Sequence, residues 1–177
     1  RAASFPANIE WHLVGHLQRN KVRRVLPAAA LIHSVDSLRL LFRIEQIASQ
    51  TGSVARVLLQ VNITGEESKD GFAAEQLHGA IPELLALEHV DVAGLMTMAP
   101  FCDDPEPSRP VFSGLRDLTN ELTARSDGKL ELPELSMGMS SDFGVAIEEG
   151  ATLIRLGRGL FTGLDRRETP TGPTSAP

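Results

Sequence analysis

Six stretches with the residue pattern of a buried strand are each followed by a stretch with the spacing of a helix or helical turn, and no hairpin turn lies between them. This alternation restricts the fold more than any other feature. Strands joined in turn by helices lie parallel, with right-handed crossovers. The strand-like stretches are residues 9–14, 31–35, 54–63, 90–98, 135–137 and 152–156. Helical spacing covers 17–26 (Leu17, Val22, Val25, Leu26), 37–50 (Leu38, Leu41, Phe42, Ile44, Ile47), 72–87, 111–124 and 143–147. Asp36 or Ser37 can cap the second of these helices, and Pro82 is expected to end or kink the third.

Two architectures satisfy this order, a doubly wound open sheet and a TIM barrel. A barrel needs eight units and typically about 250 residues. With six units in 177 residues, the chain is either an open sheet or a barrel lacking two units at its N-terminus.

At 42% apolar residues the chain can bury one real core, and one domain over residues 1–164 is expected. Residues 165–177 carry Pro, Thr, Ser and charge without apolar periodicity, and are expected to be disordered. No apolar run reaches membrane-spanning length and the first residues lack the apolar centre of a signal peptide, so a cytosolic protein is expected. The net charge of -6 argues against general nucleic-acid binding. Arg19, Lys21, Arg23 and Arg24 run against that trend, as an anion site or as one solvated helix face. Cys102 is the sole cysteine, so an intrachain disulfide and a cysteine-based metal site are both excluded. His12 and His16 have a ligand-like spacing but straddle a strand and its turn, and no metal is expected there.

The densest chemistry lies in residues 135–163, LSMGMSSDFGVAIEEGATLIRLGRGLFTG. Two neighbouring strands here end in Gly and Ser. Exposed backbone N–H groups and helix N-termini attract anions, and Arg155 is on the second strand, so these ends can cradle a phosphate. Equally, Ser140, Ser141 and Asp142 can serve only as helix caps. The long polar loop TGEESKDG after the third strand (residues 64–71) is a second candidate, since loops at strand ends often carry function.

The motifs WHLVGHLQRNK (11–21), HSVDSLRL (33–40), LLQVNITGEESKDGF (58–72), GLMTM (94–98), LSMGMSSD (135–142) and IRLGRGLF (154–161) occur in order. On them the chain resembles the pyridoxal phosphate homeostasis protein family, single-domain relatives of the N-terminal barrel of alanine racemase. The resemblance implies an α/β fold, a TIM-like barrel left incomplete, with these six units matching its third to eighth. It also implies the cofactor pyridoxal 5′-phosphate. By resemblance Arg155 faces the pyridine nitrogen, and the amides of Gly157 and Arg158 hold the phosphate with the hydroxyls of Ser140 and Ser136. Lys69 matches a basic position near the ring oxygen, Asn62 faces the same mouth, and Met98 stands where the racemase has a histidine. The bland alternatives are a strand-end amide, a solvated loop charge and core packing. The family's Schiff-base lysine and its Gly-Glu-Asn motif are not in this sequence, so the chain reads as a fragment or truncated product.

The implied function is a non-catalytic carrier or buffer of the cofactor in vitamin B6 and amino-acid homeostasis, passing it to enzymes that depend on it. A racemase-type enzyme is the first alternative; alanine racemase uses a tyrosine as its second acid or base, and this chain has none. A barrel enzyme acting on another phosphate, such as a sugar phosphate, is the second.

Overall fold

A computed structural model of the chain describes residues 9–66 and 69–161. Five parallel strands form one sheet: β1 His12–Leu13, β2 Leu31–Val35, β3 Ala55–Gln60, β4 Val90–Met96 and β5 Glu134–Ser136. Their spatial order is the chain order. A doubly wound sheet would reverse its order at a switch point, whereas a barrel wall adds each strand beside the last. The helices also share one face. The large apolar cluster packs α2 (Leu38–Thr51), α3 (Ala74–Gly79), α4 (Ile81–Leu85), α5 (Arg109–Arg125) and α6 (Phe143–Glu148) against the sheet. Strand residues Leu31, Leu58, Ala93 and Met96 form a separate small cluster, joined by Leu153. The architecture is a section of an α/β barrel with its helical layer outside.

The expected sixth strand is the main correction. Residues 152–156 run beside β5 but join it only through an isolated Ser136–Leu153 bridge. The amides of Thr152 and Leu153 both turn to the Leu135 carbonyl, and the Thr152 hydroxyl accepts from the Leu135 amide at 2.8 Å. That side-chain bond takes the donor a ladder would use, and among the described residues no further strand lies beyond to straighten the segment. The ladder position is right; the regular strand is absent.

The first expected helix also shrinks, to a 3-10 turn at Arg19–Lys21 followed by α1 at Val22–Val25. No side chain caps either piece, and the basic residues of the segment are not offset by any acid in the first turn. Pro82 divides the third expected helix into α3 and α4. By contrast α2 forms as its spacing requires, capped by Ser37, with Leu40, Leu41, Ile44 and Ile47 buried.

Two glycines set strand and helix spacing around the candidate site. A β-carbon on Gly94 of β4 would stand 1.9 Å from the Glu134 carbonyl oxygen of β5, so only glycine permits this strand approach. Gly138, with φ 88°, turns the chain from β5 toward α6, and a β-carbon there would meet the Ala146 side chain at 2.5 Å. At the N-terminal ends of the strands Arg56 bridges Glu134 (3.1 Å) and Asp91 (3.4 Å). The Thr152 hydroxyl, ahead of Arg56, holds the Glu134 carboxyl below the usual range. This ionic floor leaves the opposite, C-terminal mouth for chemistry.

Candidate functional site

At the C-terminal ends of β4, β5 and the 152–156 segment, Arg155 is the central charge. Its Nη1 donates to the Ser136 hydroxyl and its Nη2 to the Thr97 carbonyl, each at 2.8 Å. Burial pushes its pKa down to about 10, against the nearby Asp142 carboxylate, which favours the cation. It remains charged at neutral pH. Two of its five N–H groups are committed to protein acceptors, which leaves three for a ligand.

Ser140 and the glycine turn share one rim. The Gly159 amide donates to the Ser140 hydroxyl at 3.4 Å, and a β-carbon on Gly159 would crowd that oxygen at 3.0 Å. Gly157 and the backbone of Arg158 sit at the start of the 3-10 turn Arg158–Phe161. Among the described residues no acceptor takes their amides. Ser136 lies elsewhere than expected: it is fully buried beneath Arg155, its hydroxyl engaged by Arg155 and His33. It belongs to the support of the site and not to its rim.

Asn62, Lys69 and Met98 line a neighbouring hollow of about 400 Å³ with Gln60, Phe101 and Met139. Met98 follows the residue whose carbonyl anchors Arg155, and Met139 precedes Ser140, so hollow and rim share a wall. Asn62 organises its own loop: its Nδ2 donates to the carbonyls of Glu66 and Lys69, and its Oδ1 accepts from the Gly65 amide and Thr64 hydroxyl. With both ends of its amide engaged, it shapes the loop that presents Lys69. Lys69 pairs with Glu66 at 2.7 Å.

Two residues of the site, Thr97 and His33, were missed in the sequence, and a third, Asp142, was read there only as a helix cap. Thr97 supplies the second anchor of Arg155 and its own hydroxyl donates to the Val61 carbonyl at 2.9 Å. His33, 2% exposed, bonds Ser136 through Nδ1 (2.8 Å) and His12 through Nε2 (3.0 Å). Burial, with smaller contributions from His12 and Arg155, pushes its pKa down to about 4, so the ring is neutral. Asp142 is buried, but it does not cap α6: its Oδ1 takes the Met139 amide at 2.6 Å and its Oδ2 the Ser108 hydroxyl at 3.3 Å. The signal for His33 was present, as a basic side chain inside the apolar run LIHSV.

Another hollow, about 760 Å³, lies away from this mouth on the outer wall, among Arg19, Arg39, Phe42 and Arg43. Its lining is mainly long side chains of α2 and the 3-10 turn, and we place the candidate site at the mouth, where Arg155, Ser140 and the glycine turn meet. His12 and His16 do not converge; His16 pairs with Asp36 at 3.2 Å. The donor atoms of His16, Asp36 and Asp70 lie within 4.8 Å of one another, with His16 and Asp70 exposed and Asp36 half-buried. No described helix is long and apolar enough to cross a membrane.

A sequence profile of the alanine racemase N-terminal domain family matches residues 2–165. The pyridoxal phosphate homeostasis protein of Aquifex aeolicus is 46% identical over 154 residues, covering 87% of this chain and 67% of that protein. The chain belongs to the pyridoxal phosphate homeostasis protein family. The human member is 34% identical over 174 residues, and 95% of this chain covers 63% of it. Among solved structures, PipY of Synechococcus elongatus PCC7942 with PLP bound is 38% identical, with a TM-score of 0.82 over 90% of this chain and 73% of PipY. An alanine racemase of Clostridium difficile 630, 18% identical with a TM-score of 0.68 over 87% of this chain and 40% of that one, shows the shared fold alone. The chain spans about two thirds of the length of these family members.

Proposed function

We propose that this chain binds pyridoxal 5′-phosphate without covalent attachment, as the phosphate- and ring-holding part of a non-catalytic cofactor carrier or buffer in the cytosol. The observation that carries the reading is the shared rim: the Ser140 hydroxyl at the Gly159 amide, beside the amides of Gly157 and Arg158, which no acceptor among the described residues takes. A phosphate suits amide and hydroxyl donors, and the Arg155 cation lies behind them. PLP bound in PipY supports the same ligand class.

The residues fit the cofactor's parts. Gly157, Arg158 and Ser140 would hold the phosphate, Arg155 the pyridine nitrogen, and Met98 and Met139 the apolar ring faces. When bound, the cofactor supplies an electrophilic aldehyde and an aromatic ring. A guanidinium can donate to the ring nitrogen but has no lone pair with which to take its proton, so the ring stays neutral and a poor electron sink. That suits storage better than carbanion chemistry. Recipients would be enzymes that need the cofactor.

Titration with pyridoxal 5′-phosphate and with pyridoxine 5′-phosphate, which has no aldehyde, tests the reading. Both are expected to bind the 177-residue chain, with inorganic phosphate competing and Ser140→Ala and Arg155→Leu weakening both. Equal affinity in parent and variants would refute the site. Robust amino-acid racemisation would refute the carrier assignment.

A further inference from the structure

We propose that His33 and Ser136 are positioning residues for Arg155, joined to it and to His12 in a hydrogen-bond chain with a single direction. The inference rests on the cofactor reading for its purpose, but its geometry stands without it. Arg155 Nη1 is 2.8 Å from the Ser136 hydroxyl, whose other neighbour is His33 Nδ1, also at 2.8 Å. Ser136 is 0% exposed, so its proton needs a protein acceptor. Arg155 only donates. The serine proton therefore goes to His33 Nδ1, which must be bare, and the proton of the His33 ring sits on Nε2. Nε2 then donates to His12 Nδ1 at 3.0 Å. Reversing any link strands a hydroxyl proton in a dry interior or sets two protons face to face. Every group is satisfied in one arrangement, running from Arg155 through Ser136 and His33 to His12.

The chain crosses the sheet. His33 is on β2, Ser136 on β5 and Arg155 on the edge segment, with the Thr97 carbonyl after β4 as the second clamp. Two anchors fix the plane of the guanidinium, which one anchor would leave free to swing. The charged or titratable groups around His33 are His12, Arg155 and Glu134. A proton added to Nδ1 would turn the Ser136 hydroxyl away and set a second cation toward Arg155. Arg155 only donates, so the group it holds is an acceptor, such as an unprotonated pyridine nitrogen.

Long-range 1H–15N correlation spectra of the histidine-labelled full chain read the tautomers directly, with no ligand added. His33 and His12 are both expected with the proton on Nε2, and His33 is expected not to titrate from pH 7.5 to 5. A His33 proton on Nδ1, or titration near the ordinary value of about 6.5, would overturn the proposal. Pyridoxine 5′-phosphate titrations then test the purpose. His33→Leu is expected to weaken binding about tenfold while the competition by inorganic phosphate at the rim stays unchanged. His33→Asn, whose Oδ1 can accept from Ser136, is expected to restore most of the loss. Parent-like binding by His33→Leu would overturn the positioning role. Failure of the parent chain to bind either ligand would refute the cofactor site, while the tautomers still decide the chain.

Discussion

Gly94→Ala tests whether strand spacing holds the site together. The added β-carbon would lie 1.9 Å from the Glu134 carbonyl oxygen, 2.7 Å from its carbon and 2.9 Å from its Cα, all backbone atoms that no rotamer change can clear. Real β-carbons keep at least 3.0 Å from such atoms, so β5 must move away by more than the slack of a hydrogen bond. The pairing lost is Gly94 to Glu134, Leu95 to Leu135 and Met96 to Ser136. Two or three ladder bonds at about 1 kcal/mol each, with the packing of Leu135 loosened, amount to roughly 3–5 kcal/mol. Against a typical total of about 5–15 kcal/mol this leaves a marginal or unfolded chain. Urea unfolding followed by far-UV circular dichroism measures it. Where folded protein survives, ligand binding should fall as well, because Ser136 on β5 and Thr97 after β4 are the two anchors of Arg155. A Gly94→Ala variant within about 0.5 kcal/mol of the parent, with unchanged pyridoxine 5′-phosphate affinity, would refute the reasoning.

Ser140→Ala removes one rim donor and should weaken inorganic phosphate and pyridoxine 5′-phosphate alike by about three- to tenfold in a competition titration, without a change in urea midpoint. His33 makes stability pH-dependent: its folded pKa of about 4 lies below its unfolded value of 6.5, so the unfolded state binds more protons between them and stability falls as pH drops from 6.5 to 4. The loss is up to about 3 kcal/mol, and urea midpoints at pH 7, 6 and 5 should show it while His33→Asn flattens the slope. Phe112, fully buried on α5, should cost about 3–5 kcal/mol on truncation to Ala, measured by the same unfolding assay. Arg109, bonded to Glu106, Glu148 and Glu149, ties α5 to α6; Arg109→Ala should speed hydrogen exchange in α6.

Local pattern was enough to reveal the parallel alternation, α2 and the break at Pro82, because each rests on neighbours within a few residues. The barrel-like winding was not decidable from periodicity, since an open sheet alternates in the same way; strand order decides it. Residues 152–156 read as a strand because Thr, Leu and Ile favour one. A threonine side chain competing for the Leu135 amide is invisible to propensity. The resemblance gave Ser136 and Ser140 a shared role, yet their side chains serve different layers: one meets a histidine 103 residues earlier in the chain, the other a glycine amide. Asp142 looked like a cap because it precedes a helix, but its carboxylate reaches back to the Met139 turn. Long-range partners of buried polar side chains are the part that sequence could not supply.

The two faces of the sheet divide the work. Most of the apolar burial lies on the helical face, where Val57, Leu59, Leu95 and Leu135 meet the helices. Among the described residues the opposite face has a cluster of four buried apolar residues joined by Leu153, and beside it lie the polar Arg56, Gln60, His33, Glu134, Ser136 and Arg155. A polar inner face is tolerable because the helical face supplies the hydrophobic stabilisation, at about 25 cal/mol per Å² of apolar surface buried. Substitutions at the two faces should therefore separate. Truncating Phe112 ought to lower the unfolding midpoint while folded molecules keep their ligand affinity, and Ser140→Ala ought to do the reverse. If both variants shifted both readouts together, the site would not be an independent feature of the inner face, and the rim would owe its geometry to the helical core directly.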